Sequence, residues 1–285
     1  MSTLGFLDAL VESFRHWFMI RAMLVGTFVC VVCAGLSCFV VLKGWSLVGD
    51  ALAHAVLPGI ILAWLAGIPM GIGAVVSGVA CVSAAGALRA QSRVKPDAIL
   101  GIAFTGFMAV GLILIAAHPS DVHFLHVLFG NLLGIETDDI VQALVAGTIA
   151  LAAVAVLRKD LILYCFDPAQ ARAIGLSPGR LEFILLVLVA LTVVAALQAV
   201  GVVLAMAMLV TPGCTGFLMS QRFGRMVAIA AGSAALSAIL GSAISFWLDG
   251  ATAACIVLVQ TTLFVLAFLF APGRGLLRQI APLPA

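Results

Sequence analysis

Charge is what this sequence has least of. Only 9% of its 285 residues are Asp, Glu, Lys or Arg, against roughly a quarter in soluble domains. In their place 64% of the residues are hydrophobic, and the mean hydropathy is +1.28. A soluble globular domain is thereby excluded, and a net charge of +2 gives no reason to expect nucleic acid as a partner. A phosphate-cradling loop is also missing. There is no G-x-x-x-x-G-K-[ST], and the lysines Lys43, Lys95 and Lys159 stand outside any such context, so the chain encodes no energy-coupling chemistry and active transport would need a separate ATPase or an ion gradient. A disulfide framework is not expected either. The cysteines Cys30, Cys33, Cys38, Cys81, Cys165, Cys214 and Cys255 lie mostly within apolar runs, and the Cys30-x-x-Cys33 pair lacks the strand-turn-helix setting of a redox motif, so helix packing is its reading.

A cleavable signal peptide is not visible: Asp8 and Glu12 interrupt the start, and the first apolar run is long enough to remain as a helix. Residues 4–17 read as amphipathic, with Phe6, Leu7, Leu10, Phe14 and Trp17 opposing Asp8, Glu12 and Arg15, and are expected to lie on membrane lipid. The expected organisation is a surface segment over 1–17, a membrane domain over 18–272 and a cytoplasmic tail over 273–285.

What is there in abundance is apolar sequence of spanning length. Runs occupy about 18–42, 46–67, 70–88, 98–117, 140–157, 181–197, 200–219, 226–247 and 252–270, each close to the ~20 residues a membrane helix needs. The fold class is therefore all-α, a polytopic transmembrane bundle of eight to nine spans. A β-barrel would show short alternating segments instead. The sixth and seventh runs are the ambiguous pair, because Gln198-Ala199-Val200-Gly201 could separate two short spans or interrupt one re-entrant element.

Orientation follows from the basic residues, which stay cytoplasmic. With nine spans and the C-terminus inside, Lys43, Arg89, Arg93, Lys95, Arg158, Lys159, Arg172, Arg180, Arg222, Arg225, Arg274 and Arg278 fall on one side. The opposite loops carry Asp121, Glu136, Asp138, Asp139 and Asp249 and no Lys or Arg; only Arg15 and Arg21 argue against this arrangement. In the eighth run Ser233, Ser237, Gly241 and Ser245 recur every fourth position, a small-residue seam that lets a neighbouring backbone approach closely.

Two loops carry polar signals. The outer one, 117–139, holds His118, Asp121, His123 and His126, either a second set of cation donors or ordinary interfacial residues. The inner one, 158–180, contains a complete short-helix signature: Asp167 as N-cap, Pro168 at the first position, a helical stretch to Ile174 and Gly175 as the stop. Such a helix could offer a rigid knob to a soluble partner or serve as an amphipathic connector.

The main candidate site lies in the second run. Asp50 and His54 are four residues apart, so on a helix they share a face. An ionisable pair at membrane depth is costly unless it meets a cavity or a partner, and a carboxylate beside an imidazole suits a divalent cation. Pro58, four residues after His54, has no N–H for the His54 carbonyl and pushes it aside, freeing backbone oxygen at that turn; Gly49 and Gly59 add permissive backbone on both sides. Two side-chain ligands are fewer than a divalent ion wants, but a two-fold dimer would bring two carboxylates and two imidazoles together. Mn²⁺, Fe²⁺ or Zn²⁺ fits those donors, whereas Cu⁺ would want a cysteine nearby. A transported cation of this kind is the expected cargo; no covalently bound cofactor is expected. From the residues alone, a gradient-driven secondary transporter using Asp50 and His54 as a proton and metal relay remains open, as does a packing role for the pair.

The chain resembles the membrane permeases of bacterial ABC importers for manganese, iron and zinc, and is most similar to the manganese/iron branch. The resemblance is carried by Ser46-Leu47-Val48-Gly49-Asp50-Ala51-Leu52-Ala53-His54-Ala55-Val56-Leu57-Pro58-Gly59, by Leu128-Phe129-Gly130-Asn131-Leu132-Leu133-Gly134, by Phe166-Asp167-Pro168 with Ala171 and Ile174-Gly175-Leu176, by Ala199-Val200-Gly201 through Met208-Leu209-Val210-Thr211-Pro212-Gly213, and by Leu248-Asp249-Gly250-Ala251-Thr252 leading to Ile256-Val257-Leu258. It covers about residues 17–275. It departs at Thr211-Pro212-Gly213-Cys214, where the wider family more usually has Pro-Ala-Ala. The resemblance implies a type II ABC importer fold in the bacterial inner membrane. It implies two permease subunits, identical or paralogous, with two ATP-binding cassette ATPases and a periplasmic or extracellular metal-binding protein. It further implies that Asp50 and His54 contribute to the metal pathway, and that Asp167, Pro168, Ala171, Ile174, Gly175 and Leu176 form the coupling helix, about 167–176, in an ATPase cleft.

Overall fold

The structure is a computed structural model that describes residues 16–45, 48–94, 96–117, 132–135 and 137–271. The outer-loop residues His118, Asp121, His123 and His126 lie outside the described residues, as do residues 1–15 and 272–285. Among the described residues the helices are α1 (Trp17–Lys43), α2 (Val48–Ala55), α3 (Leu57–Leu65), α4 (Met70–Gln91), α5 (Pro96–Ala117), α6 (Thr137–Phe166), α7 (Pro168–Ala173), α8 (Pro178–Val200), α9 (Val202–Met219), α10 (Phe223–Leu248) and α11 (Thr252–Phe270), with a 3₁₀ turn at Leu132–Gly134. Nine helical segments are long and apolar enough to cross a membrane, α2 and α3 counting together as one over Val48–Leu65.

Helix α1 is the hub and packs against α6, α8, α9 and α10. Its inward faces are buried from Met19 to Val40, and it ends at Gly44, whose φ of 70° gives the left-handed turn that releases the chain. Side-chain contacts fix which ends meet. Met19 and Met23 cluster with Ala243 near the end of α10, whereas Phe39 meets Phe223 at its start, ring centroids 5.0 Å apart. Helices α1 and α10 are therefore antiparallel. Arg21 donates to Thr137 Oγ1 at the start of α6 (3.0 Å), and Lys43 Nζ donates to the Tyr164 carbonyl near its end (3.3 Å), so α1 and α6 run the same way.

The ambiguous pair is two helices that traverse the bundle. Gln198, near the end of α8, donates to Gln142 near the start of α6 (3.3 Å), and Gly201, at φ 82° and ψ 169°, separates α8 from α9. Ser37, in the C-terminal half of α1, accepts from the Gly213 N–H (2.9 Å) and donates to the Val210 carbonyl (3.2 Å). A Cβ on Gly216 would collide with the Met226 backbone at the start of α10. Helix α9 thus begins at the end of α8 that lies beside the start of α6 and ends beside the start of α10, and its 18 residues reach about 27 Å at 1.5 Å each.

The small-residue seam is used as expected: Ser237, Gly241 and Ser245 are buried, and a Cβ on Gly241 would strike the Ile256 backbone of α11. Helix α6 is longer than the apolar run 140–157 suggests. It continues through Arg158-Lys159-Asp160 to Phe166 because Leu161 and Tyr164 are buried against the bundle and Lys43 sits 3.7 Å over the Tyr164 ring.

Candidate metal site

Pro58 breaks the second span. Helix α2 ends at Ala55, Val56 forms the turn, and α3 begins at Leu57 with Pro58 in its first turn, where a missing N–H costs nothing. Backbone bonds flank the break, Val56 to the Leu52 carbonyl and Ile60 to the Val56 carbonyl. The Ala55 carbonyl accepts instead from Ser77 Oγ of α4, at 2.7 Å.

Both site residues lie on α2, one turn apart. His54 Nδ1 is 2.9 Å from the Asp50 backbone carbonyl and 3.3 Å from Asp50 Oδ1. Both neighbours are oxygen acceptors, so Nδ1 carries the hydrogen and, in the neutral ring, the lone pair is left on Nε2. An imidazole held in this way by a carboxylate has a fixed tautomer and ring orientation, which is how metal-binding histidines are commonly prepared. The second carboxylate oxygen of Asp50 lies outside this contact.

The surroundings are apolar and packed, but the pair is not sealed. Val48, Gly49, Ala51, Leu52, Ala53 and Ala55 are all buried, whereas the Asp50 side chain is 46% exposed and that of His54 24%. The turn after His54 sits at mid-depth, since a Cβ on Gly78 would touch both Val56 and Ala190, a residue near the middle of α8. One face of a buried helix therefore presents an acid and an imidazole sideways out of the chain at the level where lipid would be least hospitable to them. Among the described residues no group of three or more His, Cys, Asp or Glu side chains comes together, so this chain supplies two side-chain donors there.

The inner-loop helix forms as its capping residues dictate. Asp167 Oδ1 accepts from the Ala169 and Gln170 N–H groups (3.0 and 2.9 Å), Pro168 is the first helical residue, and Gly175 has φ 89°. Ala171 is fully buried and Leu176 packs on the main core; its N–H bonds the Ala171 carbonyl at 3.0 Å. Phe166 and Ile174, each 62% exposed, project from the two ends of the same knob. Ala171 and Leu176 thus anchor the helix, and Ile174 faces outward.

Sequence reasoning missed Ser77 and Gly73. Their signal was legible: Gly73-x-x-x-Ser77 faces Gly59-x-x-x-Ala63, two small-residue pairs that cross so closely that a Cβ on either Gly59 or Gly73 would collide with the other's carbonyl.

Residues 15–271 match the ABC 3 transport family. The chain is 49% identical over 270 residues to the manganese transport system membrane protein MntB of Synechocystis sp., covering 95% of this chain and 88% of that one. It is 48% identical over 273 residues to the chelated iron transport system membrane protein YfeD of Yersinia pestis, covering 95% and 92%. Among solved structures it is similar to PsaBC from Streptococcus pneumoniae in complex with Fab, with a TM-score of 0.85 and 31% identity over 98% of this chain and 100% of that chain.

Proposed function

The chain belongs to the ABC 3 transport family, and from that membership we propose that it is the multi-pass permease subunit of an ATP-driven importer carrying Mn²⁺ or Fe²⁺ inward through the bacterial inner membrane. The metals follow from relatives named for manganese and for iron transport; Zn²⁺ would satisfy the same donors. ATP hydrolysis belongs to a separate cassette ATPase, and an external metal-binding protein delivers the ion. Family membership favours this reading over gradient-driven transport.

The observation that carries the site is the hydrogen bond of His54 Nδ1 to Asp50. It leaves Nε2 and one carboxylate oxygen pointing out of a buried helix, half of a coordination shell that a second permease completes on a two-fold axis. Incomplete, exchangeable coordination suits a cargo that must leave again. The segment Asp167–Leu176 is the coupling helix: Ala171 and Leu176 tie it to the bundle, while Phe166 and Ile174 enter the ATPase cleft. The membrane domain then spans 18–272, between a surface segment over 1–17 and a tail over 273–285.

Replacing Asp50→Ala or His54→Ala is expected to abolish manganese uptake by cells while the ATPase still co-purifies. Unchanged uptake would remove the site assignment. A chain that purifies without any ATPase, and moves manganese in ATP-free liposomes under a proton gradient, would remove the importer reading.

A further inference from the structure

Hydroxyls within these helices mostly bond the carbonyl one turn back in their own helix, as Ser83 does to Val79, Thr105 to Gly101, Thr192 to Leu188 and Ser242 to Ala238. Ser77 does not. It is 6% exposed and reaches out of α4 to the carbonyl of Ala55, the last residue of α2 and the neighbour of His54. The approach is possible because Gly59 has no side chain: a Cβ there would run into Ser77 Cβ and the Gly73 carbonyl. On the other side of the break Gly111 of α5 lies against Leu57 and Pro58, its virtual Cβ 3.0 Å from Leu57 Cβ and 3.2 Å from Pro58 Cδ. Both α4 and α5 pack on the break, and among the described residues the one side-chain hydrogen bond to its backbone comes from Ser77.

We propose that Ser77 is a positioning residue for metal transfer: its hydroxyl holds the Ala55 carbonyl, and so sets the angle at which α2 meets the break and the place where His54 Nε2 stands. The physical need is local. At this depth no water is at hand for a released carbonyl, and without Ser77 the end of α2 would recover a bond by winding on toward Gly59, rotating the turn that carries His54. A ligand set tolerates displacements of only about 0.5 Å. The inference rests on reading Asp50 and His54 as the metal site.

The test uses the complete transport system in cells lacking other manganese importers, with uptake measured against Mn²⁺ concentration and normalised to permease abundance in the membrane. Thermal unfolding of the purified complex is followed in parallel. Ser77→Ala is expected to lower uptake per chain at subsaturating Mn²⁺ about tenfold, which corresponds to ~1.4 kcal/mol, with the ATPase still bound; Ser77→Thr, which keeps the hydroxyl, is expected to recover most of it. The proposal is overturned if Ser77→Ala shifts the unfolding temperature but leaves uptake per chain unchanged, or if Ser77→Thr is as poor as Ser77→Ala. His54→Ala is run alongside. Normal uptake by that variant would sink the metal-site reading itself, whereas an inactive His54→Ala beside a fully active Ser77→Ala would sink this proposal alone.

Discussion

At the scale of single residues, Asp50 does two things that substitution can separate. One carboxylate oxygen lies 3.3 Å from His54 Nδ1, and on the proposed reading the negative charge would attract the cation. Asn at position 50 keeps an oxygen that can accept from Nδ1–H but removes the charge; Ala removes both. Asp50→Asn is therefore expected to retain a small measurable uptake where Asp50→Ala retains none, and equal loss in both would mean that charge alone matters. The backbone acceptor of the same imidazole, the Asp50 carbonyl at 2.9 Å, survives either change. The ring should stay near its position, and uptake of the variants should reflect missing ligation and not a lost fold.

At the scale of elements, two helices depend on a few atoms. The six-residue α7 is too short to hold itself by propensity, and the two bonds accepted by Asp167 close its first turn. Asp167→Ala should cost about 1 kcal/mol locally and reduce the ATPase that stays with the permease through purification, whereas Asp167→Ser should keep it. The α10–α11 pair depends on the bare face at Gly241. Gly241→Val drives a side chain into the Ile256 backbone and is expected to destabilise the chain by about 3 kcal/mol, the upper range for overpacking, read as a lower unfolding temperature in detergent. Helix α2 is a third case: at eight residues it is held by its neighbours α4, α5, α8 and α9 and not by its own length.

At the scale of the whole molecule, crossing by all nine spanning-length segments among the described residues would put the two ends of the membrane domain on opposite sides. His16 and Ala251 are exposed at one end of the bundle and Ser177 at the other. In intact cells His16→Cys and Ala251→Cys should react with a membrane-impermeant maleimide, and Ser177→Cys only after permeabilisation. If α9 did not cross, His16→Cys would instead need permeabilisation, because the N-terminal half would invert. The open Asp50–His54 face belongs to this scale too: all six other positions of α2 are buried, while its two ionisable side chains are 46% and 24% exposed, the face that the proposed second permease would cover.

Much of this was legible in the sequence because the causes are local or periodic. Hydropathy gave the membrane class and the spans; four-residue spacing put Asp50 and His54 on one face; Pro58 announced the break; and Asp167, Pro168 and Gly175 announced α7. What hydropathy could not give was the extension of α6 past Arg158, which depends on Leu161 and Tyr164 finding partners, or the route of α9, since an 18-residue apolar stretch reads alike whether it crosses or re-enters.

The opening between α2 and α3 marks the same division. Pro58 decides by its covalent chemistry that the helix must break and that the His54 carbonyl loses its usual donor, and four-residue spacing puts an acid and an imidazole on one face. Only the tertiary structure decides which hydroxyl answers the Ala55 carbonyl beside the break, and how closely α3 and α4 cross there. Those outcomes rest on contacts between spans distant along the chain, Ser77 with Ala55 and Gly59 with Gly73, and no local pattern fixes which helices become neighbours.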